Sequence, residues 1–400
     1  MNPLLGLLIG AAVFWTVFSI LYRRLDLKKR GVTFESGAAV FRTRRGLQAI
    51  DSFAKRHPKF LLHFGNLAVV LALICCAFVL FNLCFNLYFI LTKPRVALPG
   101  ASIIFPGVIP GLTVYWWLIT IGVLMGVHEV SHGLLMRVHD IPTKSTGALL
   151  LGVIPGAFVE PDEKKLASAP LSHRLRVYAA GSVANLLFSF FCLFLLLSLL
   201  TPKSGVYVWG VRKGGPSENL LEPGMRVVQI DNLRVESWKD LENLRWGYLE
   251  NLQGFTPGQE VEILTEEGSF RVKADNFCSE NRGSLGLYLN WAVPRAEFLN
   301  PLFAASVTVY ELRGERIFHP LLYRSSVPWP VIDLLKWMFV LNLGVGLFNL
   351  LPMLPLDGGQ MLQALLERKL PKKRARRICI YVSLAMLALV LLNILPYFLK

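Results

Sequence analysis

Six stretches of this chain are long and apolar enough to cross a lipid bilayer, and that decides what it can fold into. They cover residues 4–22, 60–91, 112–136, 177–200, 331–351 and 380–399. A bilayer core asks for about 20 consecutive apolar residues in a helix. Inside it only helices and closed barrels satisfy their own backbone hydrogen bonds. The expected class is therefore a polytopic α-helical membrane protein with six transmembrane helices. Charged residues make up 17% of the chain, against about 25% in soluble proteins. Residues 4–22 are followed, not preceded, by Arg23 and Arg24, and no small-residue cleavage site comes after them. They read as an anchor rather than a cleaved signal peptide. Residues 60–91 exceed the span a bilayer requires, so this helix is expected to tilt or protrude.

The net charge of +15 is concentrated in two short loops. Residues 23–59 hold eleven Lys/Arg against three Asp/Glu, and residues 367–377 hold seven against one. Basic loops beside spans mark the cytoplasmic side. With residues 23–59 inside, the loop 137–176 and the loop 367–377 also fall inside, and all three are net positive. The N-terminus, the C-terminus and residues 201–330 are then extracytoplasmic. This placement accounts for the charge without a nucleic-acid partner; the expected partner is the lipid bilayer. Five of the six Cys lie in or beside apolar segments, Cys278 stands alone, and no CxxC pair occurs. They read as small buried hydrophobes.

The third apolar segment carries "GVHEVSHGL", an HExxH motif at His128, Glu129 and His132. Residues four apart share a helix face, so both imidazoles can reach one ion. Zn²⁺ takes neutral His nitrogens and, in catalytic sites, usually three protein ligands. Glu129 would stand beside the attacking water as general base. The competing reading is a set of polar residues packed in a helix bundle, which must meet about 2.5–3.5 kcal/mol for a charge at mid-bilayer.

A third ligand is needed, and the candidate is Asp357 in "NLLPMLPLDGG". It follows the inward-running fifth span, while His128 and His132 fall in the last turns of the inward-running third. Both therefore sit at the cytoplasmic depth. Pro352 and Pro355, with Gly358 and Gly359, imply a broken segment there, tolerated only against protein or a wet cavity. The alternative is an ordinary helix-ending turn. Asn185, four residues after Gly181, is a candidate oxyanion donor or a helix-packing residue, and Asn349 is similarly ambiguous. "ALLLGVIPGAFVEPDEK" at 148–164 is too interrupted to span. With Gly152, Pro155 and Gly156 it reads as a re-entrant hairpin whose edge can take a substrate as an added strand, or as a loop lying on the interface. Asp333 and Lys336, three apart near the outer end of the fifth span, are expected to pair.

Between the fourth and fifth spans the period changes to short alternating stretches such as "GVYVWGV", "MRVVQID" and "QEVEIL", which read as strands. A helix is expected over 238–249, capped by Ser237. The order "VWGVRKGGPSENLLEPGMRVVQIDNLRVESWKDLENL" resembles a PDZ domain, a module that binds a peptide or substrate tail by strand addition.

HExxH in one span, this inserted segment, and "NLLPMLPLDGG" after a later span together resemble the site-2 protease family, over residues 112–365. The resemblance implies an intramembrane zinc metalloprotease. It implies one Zn²⁺ per chain on His128, His132 and Asp357, and Glu129 as the catalytic residue. Membrane-anchored proteins would be its substrates, cut near the cytoplasmic face in regulated intramembrane proteolysis. The expected layout is two N-terminal helices with a basic loop (1–111), the first half of the catalytic core (112–200), an extracytoplasmic α+β PDZ-like domain (201–291), a linker (292–330), the second half of the core (331–366), and a basic loop with the last helix (367–400). A different class also fits part of the pattern: a PDZ-bearing membrane adaptor without proteolytic activity.

Overall fold

The computed structural model describes residues 15–29, 31–35, 38–44, 46–93, 100–151, 154–237, 240, 253–278, 282–314 and 317–396. Among them are five helices long and apolar enough to span a membrane: α2 (Pro58–Thr92), α3 (Val114–Val138), α5 (Leu171–Leu199), α7 (Trp329–Asn349) and α9 (Lys372–Ile394). Residues 4–14 of the expected first span lie outside the described residues, and 15–24 are helical. At 1.5 Å per residue the 35 residues of α2 reach about 52 Å, well beyond a bilayer core of about 30 Å. Pro58 opens α2 at a position where its missing N–H costs nothing. α9 starts eight residues before the apolar run at 380, so the basic residues 372–377 form its first turns.

The chain divides into two compact units. The first comprises Met1–Leu193, Leu312–Gly314 and Trp337–Lys400. The basic stretch after Arg23 is more than a loop: it holds strands β1 (Val32–Glu35) and β2 (Ala38–Thr43) and helix α1 (Leu47–Arg56). These strands join β3 (Thr143–Leu151) and β4 (Ile154–Pro161) in one antiparallel sheet of order β1-β2-β3-β4. β3 and β4 form a hairpin, with Ala148 opposite Ala157 and Thr146 opposite Val159, and β4 is an edge strand. Gly152 lies outside the described residues, while Pro155 and Gly156 pair with Leu150 and Leu149. A short α4 (Glu163–Ser168), capped by the Asp162 carboxylate accepting from Lys165 N–H, leads into α5. Ala54 of α1, Leu135 and Met136 of α3, Val159 of β4 and Val177 and Ala180 of α5 share one buried cluster. Each fully buried aliphatic side chain of this kind contributes about 1.5–3 kcal/mol. The cluster fixes sheet and helices around the second half of α3.

After α7 the chain turns through residues 350–356 and starts α8 (Asp357–Glu367). The LDGG segment therefore opens a helix and does not close one. Gly358 and Gly359 explain the tightness of that turn, because a Cβ on either would overlap the backbone of Leu350 or Met353. At the far end of α8, Glu367 pairs with Arg174 of α5 at 2.8 Å, both largely buried.

The second unit comprises Phe194–Glu311 and Glu315–Lys336. Its strands are β5 (Leu200–Pro202), β6 (Val206–Val211), β7 (Arg226–Ile230), β8 (Leu233–Arg234), β9 (Gln253–Phe255), β10 (Glu260–Thr265), β11 (Ser269–Lys273), β12 (Asp275–Cys278), β13 (Arg282–Ser284) and β14 (Leu287–Trp291). The main sheet has the order β11-β10-β7-β6-β14, with β8 beside β7. Strict alternation buries Val261 and Ile263 of β10 against Val206, Val227, Val272 and Leu287, as a half-solvated strand requires. The helix expected over 238–249 lies outside the described residues, apart from one 3₁₀ position at Asp240. Residues 292–330, expected only as a linker, carry α6 (Pro301–Leu312) and a strand Tyr323–Ser325 paired with Leu200–Pro202.

Candidate metal centre

His128 and His132 stand one turn apart on α3, and their Nε2 atoms face each other at 3.0 Å. Asp357 is the first residue of α8. Its Oδ2 lies 3.5 Å from His128 Nε2 and its Oδ1 3.4 Å from His132 Nε2. A tetrahedral ion with nitrogen and oxygen ligands at about 2.0–2.1 Å sets those ligand atoms about 3.3 Å apart. The imidazole pair lies close to that figure at 3.0 Å and each Nε2 has an Asp357 oxygen within 3.5 Å, so the donor set suits a zinc-sized ion. Among the described residues these three form a group able to hold a metal, with one donor atom from each within 4.8 Å of the others. Two sites separated by more than 220 residues of sequence meet here.

Gly181 of α5 lies against both imidazoles. A Cβ there would sit 2.8 Å from His128 Nε2 and overlap His132 Nε2. The two rings can lie this close to α5 because this residue has no side chain.

Each polar group of the site is held from outside. His132 Nδ1–H donates to the Val177 carbonyl at 2.7 Å, which turns the Nε2 lone pair toward Asp357. Ser182 Oγ donates to Asp357 Oδ2 at 2.6 Å. The Asn185 carboxamide meets His128 Nδ1 at 3.3 Å. Glu129, beside His128 on the same helix, has its Oε2 accepting the Val159 N–H of β4 at 2.9 Å. His128 and Asp357 are buried, and Ser182 and Asn185 have no exposed surface at all.

Of the residues singled out in the sequence, His128, Glu129, His132, Asp357 and Asn185 come together, with Pro155 and Gly156 on the strand that holds Glu129. Asn349 ends α7, half-buried, and makes no hydrogen bond among the described residues. Sequence reasoning missed Ser182, the Val177 carbonyl and the Val159 amide. Ser182 had a faint signal, a hydroxyl beside Gly181 in a run of small residues. The two backbone groups had none, since every residue carries them.

Comparisons with known proteins agree in kind. A Methanocaldococcus jannaschii protein named "Uncharacterized protein" is 27% identical over 375 residues, 93% of this chain and 87% of that protein. A Fusobacterium nucleatum protein named "Putative zinc metalloprotease" is 25% identical over 280 residues, 61% of this chain and 80% of its own length. A "Membrane-bound transcription factor site-2 protease homolog" of Arabidopsis thaliana is 28% identical over 134 residues, 31% of this chain and 26% of that protein. The family model described as peptidase family M50 matches residues 116–390, a stretch that contains the HExxH helix and Asp357 alike. With five apolar helices and a ligand triad assembled between them, the chain belongs to peptidase family M50, the site-2 protease family of membrane metalloproteases.

Proposed function

We propose that this chain is a zinc endopeptidase that cuts membrane-anchored proteins within their spans, holding one Zn²⁺ on His128, His132 and Asp357 and using Glu129 as general base. The observation that carries this reading is the convergence of two imidazole Nε2 atoms and one carboxylate at ligand spacing, with a second carboxylate on the same helix. An ion bound there supplies Lewis acidity, polarising the scissile carbonyl and acidifying water. Glu129 takes the proton of the attacking water and hands it to the departing amide nitrogen. Val159 N–H fixes one oxygen of Glu129 and leaves the other for that exchange. Because the Val159 N–H points away from β3, the alternation of an antiparallel ladder turns the backbone of Ala157 outward as well. This edge supports binding of an unwound substrate segment as an added strand.

In this reading six helices cross the membrane, the active site faces the cytoplasmic side, and both termini and the domain at 201–291 are extracytoplasmic. That domain is PDZ-like, and β14 at the end of its sheet supports capture of a peptide or substrate tail. Asn349 and the outward edge near Pro155 and Gly156 serve substrate positioning.

The test is purified protein in lipid nanodiscs with a labelled transmembrane substrate. About one zinc per chain and a loss of cleavage of about 10²–10⁴-fold in Glu129→Gln, with zinc retained, are expected. Zinc-free protein that binds peptides through 201–291 without hydrolysis would instead identify an adaptor.

A further inference from the structure

We infer that Ser383 of α9 is a positioning residue for Asp357: its hydroxyl holds the Leu354 amide and, through that amide, the turn that presents the carboxylate to the metal. This rests on the zinc reading above and extends the site to α9, a helix that supplies none of the ligands.

The amides of residues 350–356 have few places to go. Pro352 and Pro355 have no N–H to give. The amides of Leu350 and Leu351 donate back to the Leu347 and Phe348 carbonyls at the end of α7. Those of Met353 and Leu356 donate to the Leu351 and Met353 carbonyls within the turn, at 2.7 and 2.8 Å. Leu354 N–H alone among them crosses to an element distant in sequence, where Ser383 Oγ accepts it at 2.8 Å. The hydroxyl hydrogen of Ser383 is already committed to the Cys379 carbonyl one turn earlier on α9, at 2.7 Å, a bond that serines inside helices often make. A lone pair of Oγ is thereby left for the turn.

The held amide is coupled to the metal ligand by close packing. Gly359, in the first turn of α8, lies directly against it: a Cβ there would stand 2.5 Å from Leu354 N and overlap the Met353 carbonyl carbon. With no slack between them, the Leu354 amide and the start of α8 move together. Asp357 is the first residue of that helix, two before Gly359. Apolar contacts also hold the turn. Leu351 shares a buried cluster with Leu83 of α2 and Leu389 and Val390 of α9, and Met353, Leu356 and Met386 pack against it. Apolar packing has no direction, so it leaves open how far the turn slides along α9. A hydrogen bond between one donor and one acceptor fixes that position. Ser383 is the only serine or threonine of α9, so no neighbouring hydroxyl on that helix can replace it.

The experiment is zinc affinity, measured by competition with a chromophoric chelator in detergent, for the wild type, Ser383→Ala and Ser383→Thr. Ser383→Ala removes one intramolecular hydrogen bond and is expected to bind zinc about 2–10-fold more weakly. Ser383→Thr keeps a hydroxyl that can bond the i−4 carbonyl of its helix and is expected to restore wild-type affinity. Wild-type affinity in Ser383→Ala would overturn the inference. Equal weakening in both variants would overturn it too, because the effect would then belong to side-chain packing. Should the variants not fold, amide hydrogen exchange of the wild type with and without zinc decides. Coupling between two sites is reciprocal, so zinc is expected to slow exchange at Leu354 more than in residues 389–394 at the far end of α9. Equal slowing at both places would sink the role. If the wild type takes up no zinc, the proposed function fails and this role with it; a zinc-binding wild type with an indifferent Ser383→Ala defeats the inference alone.

Discussion

Two of the clusters of buried ionisable side chains among the described residues are built on opposite principles. In the second unit, Lys336 Nζ lies 3.3 Å from Glu311 Oε2 and 3.4 Å from Asp333 Oδ1. Glu311 Oε1 accepts the N–H groups of Ile317 and Phe318 at 2.9 and 3.2 Å. There one ammonium serves two carboxylates, and both oxygens of Glu311 have a donor. In the first unit, two imidazoles and a carboxylate turn their lone pairs toward one point, and among the described residues no Lys or Arg pairs with Asp357. The first kind of cluster is complete as folded and pins α6 and the turn after it to the start of α7. The second, on the proposed reading, is completed by a cation. Burial of charge is common to both, so burial alone does not mark a site; the direction of the lone pairs does.

Crowding the imidazoles breaks the comparison most sharply. Gly181→Ala puts a methyl against both rings, and Asp357→Ala removes a ligand. Metal analysis of either variant is expected to fall from about one zinc per chain to background, with cleavage lost, while the protein still purifies as a folded species. Lys336→Met is expected to leave zinc content untouched. It strands Glu311, and removing one partner of a buried pair costs about 3–5 kcal/mol, readable as a lower unfolding temperature. Pairing it with Glu311→Gln is expected to recover most of that loss. Should Lys336→Met shed zinc, the separation between a structural and a functional cluster would not hold.

A smaller effect sharpens the contrast from a third direction, a half-buried group kept neutral. His139, just past the end of α3, stacks on His173 at 3.9 Å with the rings 12° apart. Burial first, then His173 and Arg176, lower its pKa from 6.5 to about 4, against the opposing pull of Asp140. The unfolded chain therefore binds the extra proton between those values. Its contribution to stability is present above pH 6.5 and is lost as pH falls toward about 4. His139→Phe is expected to flatten that acid limb. Thermal unfolding from pH 4 to 8 checks it, and an unchanged slope would remove His139 as the source.

Much of this was legible in the sequence for a physical reason. HExxH needs only the helical repeat to put His128 and His132 on one face, and long apolar runs have few alternatives to spanning a bilayer. Asp357 could be paired with them because the charge pattern of the loops places the ends of both spans at one expected depth. The strands of the second unit followed from alternation. Less visible were β1, β2 and α1, since the basic residues of 23–59 report on sidedness and hide the short apolar patterns among them. Glu311 gave no hint of its partner, because Lys336 is near it only in space.

The residue types and their local spacing determined by themselves that this chain spans a membrane, that α3 offers two imidazoles and a carboxylate, and that a carboxylate follows α7. Periodicity and hydropathy are properties of neighbouring residues, so they survive in the linear order. Tertiary structure alone decided that Asp357 comes within 3.5 Å of Nε2 of both histidines, that Gly181 lets α5 lie against them, and that Val177, Ser182 and Asn185 contact this group while Val159 holds Glu129. Those are contacts between segments far apart in the chain, several made by backbone groups common to every residue, and only packing selects which of them meet.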